Sequence, residues 1–125
     1  MGHPTIYPTG VTVYNPEKCW NGFTIFQALE VGAVLMNMNG RENKVWKGVH
    51  GFPNKIFPGG YLMTSRGSRD GRYGVQDGLD LVQIDWDGNV VWKFDRNEYI
   101  EDPGIPGRWM ARSHHDYQRE GSTTG

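Results

Sequence analysis

The stretch Arg112-Ser113-His114-His115-Asp116 gathers the side chains of this sequence best suited to chemistry. An imidazole is a nucleophile, a general base or a metal ligand near neutral pH. A neighbouring carboxylate can orient the ring and stabilise its cation. On a strand, side chains alternate, so one of His114 and His115 would face a shared site and the other a neighbouring strand or loop. That divergence, with no third ligand at a recognised spacing, argues against a metal site. The competing reading is structural, with both histidines closing off a sheet and hydrogen-bonding nearby backbone.

His50, in Gly48-Val49-His50-Gly51-Phe52-Pro53, precedes a strand much as the histidine pair does, and could face the same site or hold a loop. Arg66, Arg69, Arg72 and Arg112 are the cations able to grip an anion such as sulfate or phosphate. Of these, Arg69 and Arg72 read as members of a solvated loop. The run Arg66 to Gly74 lacks a strand-to-helix junction and matches no phosphate-binding fingerprint, and no cofactor is expected. Cys19 stands alone beside Trp20, reads as a buried or inert thiol, and offers no disulfide framework.

The elements that must position these groups are short strands. Eighteen glycines, seven prolines and sixteen aromatic residues in 125 positions leave few windows for a helix and favour strands joined by tight turns. The formal charge of −1 is spread without a basic run, which gives nucleic-acid or anionic-membrane binding no electrostatic support. No apolar run approaches the roughly 18 residues of a membrane span, and no basic-then-apolar leader is visible. A cytoplasmic location is the default expectation, and a periplasmic one if a leader has been removed.

Leu35-Met36-Asn37-Met38-Asn39 with Asn43-Lys44-Val45-Trp46-Lys47 resembles Leu81-Val82-Gln83-Ile84-Asp85 with Asn89-Val90-Val91-Trp92-Lys93, at an ungapped offset of 46. Each copy reads as a hairpin, the second turning at Trp86-Asp87-Gly88. Trp46 and Trp92 then occupy matching positions and read as packing residues between repeats. A further hairpin, Asn54 to Phe57 and Tyr61 to Ser65, turns at Pro58-Gly59-Gly60. Repeats of this length built from short strands mark β-propeller blades.

The expected fold is therefore all-β, a propeller segment of about two blades made of four-stranded antiparallel sheets. Residues 1–21 form a coil and lead-in, 22–48 an incomplete first blade and 54–95 a complete blade. Residues 96–113 form a Gly/Pro-broken connection, 114–120 the inner strand of a following blade and 121–125 a polar tail. A propeller typically closes with four to eight blades. The expectation is a fragment of a longer chain; the alternative is several copies completing a ring, the last strand of one filling the first sheet of the next. Bare sheet edges imply association or poor solubility in isolation.

Gly51-Phe52-Pro53-Asn54-Lys55, Asp80 to Phe94 and His114-His115-Asp116-Tyr117-Gln118-Arg119-Glu120-Gly121 together resemble the aryl-sulfate sulfotransferase family, over Val11 to Gly121. The resemblance implies a six-bladed propeller that moves a sulfuryl group from an aromatic sulfate ester to a phenol through a channel histidine. It makes His115 or His114 the catalytic candidate and His50, Arg112 and Arg66 the substrate-binding ones. It implies no metal, and as partners the small-molecule substrates and the remaining blades, supplied by the parent chain or by other copies. The chain alone is expected to be inactive because its site is incomplete. The competing function is a non-catalytic propeller module that binds a ligand or assembles with other chains.

Overall fold

The computed structural model describes residues 10–74 and 77–120, and the chain is all-β. Strands β1 (Thr24–Ala28), β2 (Gly32–Met36) and β3 (Glu42–Lys47) form one sheet. Strands β4 (Lys55–Phe57), β5 (Tyr61–Thr64), β6 (Val82–Ile84) and β7 (Val90–Lys93) form a second. Each sheet runs in sequence order with antiparallel neighbours. The expected strands of 22–48 and 54–95 are thus present. Among the described residues the sheets do not close into a barrel or ring.

Turn chemistry sets these hairpins. Asn37 Oδ1 accepts the amides of Asn39 (3.0 Å) and Arg41 (3.1 Å), and Asp85 Oδ1 accepts those of Asp87 (2.9 Å) and Asn89 (2.8 Å). Short polar side chains that bond their own backbone two residues on are strong turn formers. The Asn89 side chain, first among the donors to Asp85, holds that carboxyl below its ordinary range.

The two turns correspond at an offset of 48, as do the strand pairs Met36↔Glu42 and Ile84↔Val90. A one-residue irregularity comes next in each, giving Leu35↔Lys44 and Gln83↔Trp92. The two hairpins share this pairing at an offset of 48, not at the letter-matched offset of 46. Trp92 corresponds to Lys44, and Trp46 corresponds to Phe94, whose amide donates to Leu81 O at 2.9 Å. The two-position difference keeps each tryptophan on the corresponding face of its sheet but shifts it along the strand, Trp46 standing opposite Ala33 and Trp92 opposite Gln83, so the two are not equivalent.

The core lies between the two sheets. Ala33, Leu35 and Trp46, with Ile25, form one face of the first sheet and pack on Leu62, Val82 and Ile84, with Ile56, on one face of the second. Trp46 is 3% exposed and donates its indole N–H to Asp85 O at 3.0 Å. Trp92 instead lies on the far face of the second sheet, in the row Lys55–Met63–Gln83–Trp92. Gly32, at φ +140°, lets β2 and β3 meet, because a Cβ there would lie 2.0 Å from Trp46 O.

Residues 96–113 depart from the expected irregular connection. They contain strands β8 (Glu98–Asp102) and β9 (Ile105–Met110), paired as a hairpin. Asp102↔Ile105 leaves Pro103-Gly104 as a two-residue loop with Gly104 at φ +79°, the residues a type II turn requires. Pro and Gly here bend the chain into a hairpin instead of ending its strands. Residues 114–120 also differ from expectation. They form no strand beyond an isolated bridge between His114 and Asp116. Cys19 is exposed, not buried. The expected tail, 121–125, and the first nine residues of the coil lie outside the described residues.

Candidate functional site

Antiparallel order brings the start of β4, the end of β5 and the start of β6 to one end of the second sheet. There the amide of His50 donates to Ser65 O (2.6 Å) and that of Leu79 to Gly67 O (3.0 Å). Segment 111–113 is added alongside: Ala111 N donates to Leu79 O, Arg112 N to Gly78 O (both 3.0 Å) and Gly78 N to Ser113 O (2.7 Å). Gly78 permits this approach, since a Cβ would lie 2.3 Å from the Ser113 hydroxyl oxygen.

The chain then bends sharply. Arg112 and His115 both have left-handed backbones, φ +53° and +61°. Such conformations in non-glycine residues are held only where the surroundings impose them, and they concentrate at functional sites. The bend overturns the alternation expected of a strand. The His114 and His115 rings do not diverge but meet edge to face at 4.1 Å between centroids. Phe52 packs against His115 at 5.0 Å and His114 at 6.5 Å. The loop before β4 thus reaches the pair through Phe52, and His50 is half-buried two residues earlier.

Sequence reasoning missed the carboxylate that serves the pair. Asp116 turns away to Lys55, 2.7 Å distant, and that bond holds its carboxyl below the ordinary range. Asp77 takes the role instead, its Oδ1 lying 3.0 Å from His114 Nδ1. Asp77 Oδ2 faces Arg69 at 3.1 Å and Arg112 at 3.8 Å. Asp77 and His114 lie 37 apart in sequence, and no spacing rule marks such a pair.

Of the four arginines, Arg72 lies as expected, solvated and paired with Asp70. Arg69 does not. It is 17% exposed and fixed between Asp77 and Asp102, and the bond to Asp102 raises its guanidinium further above its ordinary value. The same bond lowers the Asp102 carboxyl. Together with Arg108 Nη2 to Ser68 O (3.3 Å) and Tyr73 Oη to Pro103 O (2.7 Å), it fastens the β8–β9 hairpin to the loop. Arg112 is half-exposed beside the histidines and bonded to Glu98 at 3.2 Å. Arg66 is paired with Asp80 at 2.8 Å and lines a different pocket of about 430 Å³, with Lys47 and Val49.

Beyond the bend, the chain crosses the far face of the second sheet. The Tyr117 hydroxyl shares its one proton between Pro53 O and Met63 O, and burial raises its phenol above the ordinary value. Arg119 bonds Gln83 Oε1 (2.6 Å) and lies 4.5 Å over the Trp92 ring. Between this segment and the sheet lies a pocket of about 900 Å³, lined in part by Leu81, Trp92, Phe94, Arg96, Ser113 and Tyr117.

No family model matches the chain, and neither a curated protein nor a solved structure matches it.

Proposed function

We propose that the chain is part of a β-propeller of the aryl-sulfate sulfotransferase type, in which a histidine of the 114–115 pair receives a sulfuryl group. The observation that carries this reading is the compact His114–His115–Asp77 cluster, set at a bend with left-handed backbones at Arg112 and His115 at one end of a four-stranded sheet. In the reaction an imidazole nitrogen attacks sulfur; the N–S bond forms as the S–O bond to the aromatic ring breaks. The phenolate leaves with the electron pair; a second phenol later takes the sulfuryl group, its proton passing to the departed phenolate, and the imidazole is restored. Arg112, 42% exposed beside the pair, is a cation able to meet sulfuryl oxygens. The neighbouring pocket has Trp92, Phe94 and Tyr117 rings suited to an aromatic molecule, its Arg96 and Arg119 offset by Asp116 and Glu120, and neither histidine lines it.

The stacking of sheets supports the propeller. The face of the first sheet that packs on the second corresponds, at the offset of 48, to the far face carrying Gln83, Trp92 and Phe94. Repetition of that packing would put a further sheet on the far face, where segment 116–119 now lies, which is how blades follow one another. The non-catalytic module is favoured by a different observation. Arg66 and Arg112 are each already paired with a carboxylate, so a sulfate must compete for them.

Light scattering combined with p-nitrophenyl sulfate turnover tests both readings. A monomer should release no nitrophenol, and an assembly of about three copies, roughly six blades, should transfer sulfate to an added phenol. A closed assembly that transfers nothing overturns the enzymatic reading in favour of the binding module. A monomer that transfers sulfate overturns the view that the site needs further blades.

A further inference from the structure

We propose that Asp77 is the positioning residue of this site and that it selects His114, through Nε2, as the reactive imidazole. The proposal takes its reaction from the reading above, but the tautomer at its centre holds or fails without that reading.

A carboxylate accepts hydrogen bonds and donates none. At 3.0 Å from Asp77 Oδ1, His114 Nδ1 must therefore carry the proton of this bond. A neutral imidazole has one N–H, so Nε2 is left with the free lone pair. His114 is 42% exposed, so a small molecule in solvent can reach it. Positive charge that develops on the ring after attack lies beside Asp77.

His115 lacks this arrangement. Its ring meets the rings of His114 and Phe52 edge to face, contacts that limit its rotation without fixing a tautomer. Asp77 is itself held. Arg69, anchored on its other side by Asp102, grips Oδ2, and Arg112, bonded to Glu98, stands at 3.8 Å. The charged groups around His114 are thus Asp77 directly, then Arg69 and Arg112 behind it, with Asp102 and Glu98 outside them. The β8–β9 hairpin contributes Asp102 and Glu98, so its docking also keeps Asp77 aimed.

Ring ¹⁵N spectra of the full chain at neutral pH test the proposal without any substitution, with assignments from His114→Gln and His115→Gln. His114 should show a protonated Nδ1 and a pyridine-like Nε2, whereas His115 should show mixed tautomers. An Nε2–H tautomer at His114, or identical spectra for the two rings, overturns the assignment. Acylation by diethyl pyrocarbonate, followed by peptide mass spectrometry, supplies the reactivity. His114 should modify first, and Asp77→Ala should slow it on the order of tenfold while sparing His50, because one charge-assisted bond is lost. Asp77→Glu should restore part of the rate. Faster modification of the half-buried His50 would mean general loosening of the fold, and an unchanged rate at His114 would overturn a positioning role. If the tautomer and rates are as expected but a closed assembly moves no sulfuryl group, the transferase reading fails while the role of Asp77 stands.

Discussion

Trp46 and Trp92 look interchangeable in the sequence, and replacing each in turn separates the two registers. Trp46 is 3% exposed in the core between sheets, its indole N–H bonds Asp85 O at 3.0 Å, and Trp86 meets it edge-on at 5.4 Å. Trp46→Ala removes a buried aromatic whose loss costs about 3–5 kcal/mol and leaves the Asp85 carbonyl without that donor. Trp92 is half-buried on the far face, with Arg119 over its ring at 4.5 Å. Its replacement forfeits a cation–π contact of about 0.5–1 kcal/mol and part of its apolar burial, roughly 1–2 kcal/mol in all. Domains of this kind hold about 5–15 kcal/mol, so Trp46→Ala can leave little folded protein. Trp46→Phe and Trp92→Phe form the milder pair, with about 1–2 kcal/mol expected for the first and under about 0.5 kcal/mol for the second. Urea unfolding followed by circular dichroism reads both pairs. With a slope of about 1–3 kcal/mol per molar, the alanine variants should differ in midpoint by on the order of 1 M. Equal losses at the two positions would refute the offset of 48 and the assignment of Trp46 to the core.

Gly32→Ala should cost more than about 2 kcal/mol, because the new Cβ meets the Trp46 carbonyl at 2.0 Å, whereas Gly88→Ala, with open space around it, should cost about 1 kcal/mol; thermal unfolding compares them. Tyr117→Phe should cost about 1–2 kcal/mol and hasten limited proteolysis between 111 and 120, since its hydroxyl ties that segment to Pro53 and Met63. The depressed carboxyls of Asp102, Asp116 and Asp85 have folded values below the unfolded value near 3.9. Their stabilisation is present above about pH 4 and is lost as pH falls through the lower folded values. Urea midpoints should therefore decline from pH 4 downward, and Asp102→Asn should flatten the decline.

The all-β class and the seven strands between Thr24 and Lys93 were legible because their causes are local. Asn37, Asp85 and the Gly59-Gly60 pair shape their turns within four or five residues, and the flanking runs are apolar or β-branched. The β8–β9 hairpin was hidden for the same kind of reason. Pro103-Gly104 serves equally to break a strand or to turn one, and only the pairing of Asp102 with Ile105 decides between them. The offset depended on where each hairpin turns, since the Asn37 and Asp85 turns lie 48 apart while the letters match at 46, and a two-residue slip keeps the same face so that alternation alone does not expose it.

The sequence by itself determined which residues could do chemistry at this site: two adjacent histidines and an arginine within four positions. It could not determine how they are used. The turning of Asp116 to Lys55, the partnership of His114 with Asp77 and the anchoring of Arg69 by Asp102 all depend on contacts between segments roughly 30 to 60 residues apart in the chain. Only tertiary packing sets these contacts, because loop closure leaves distant partners unspecified until the sheets have fixed the ends of the loops.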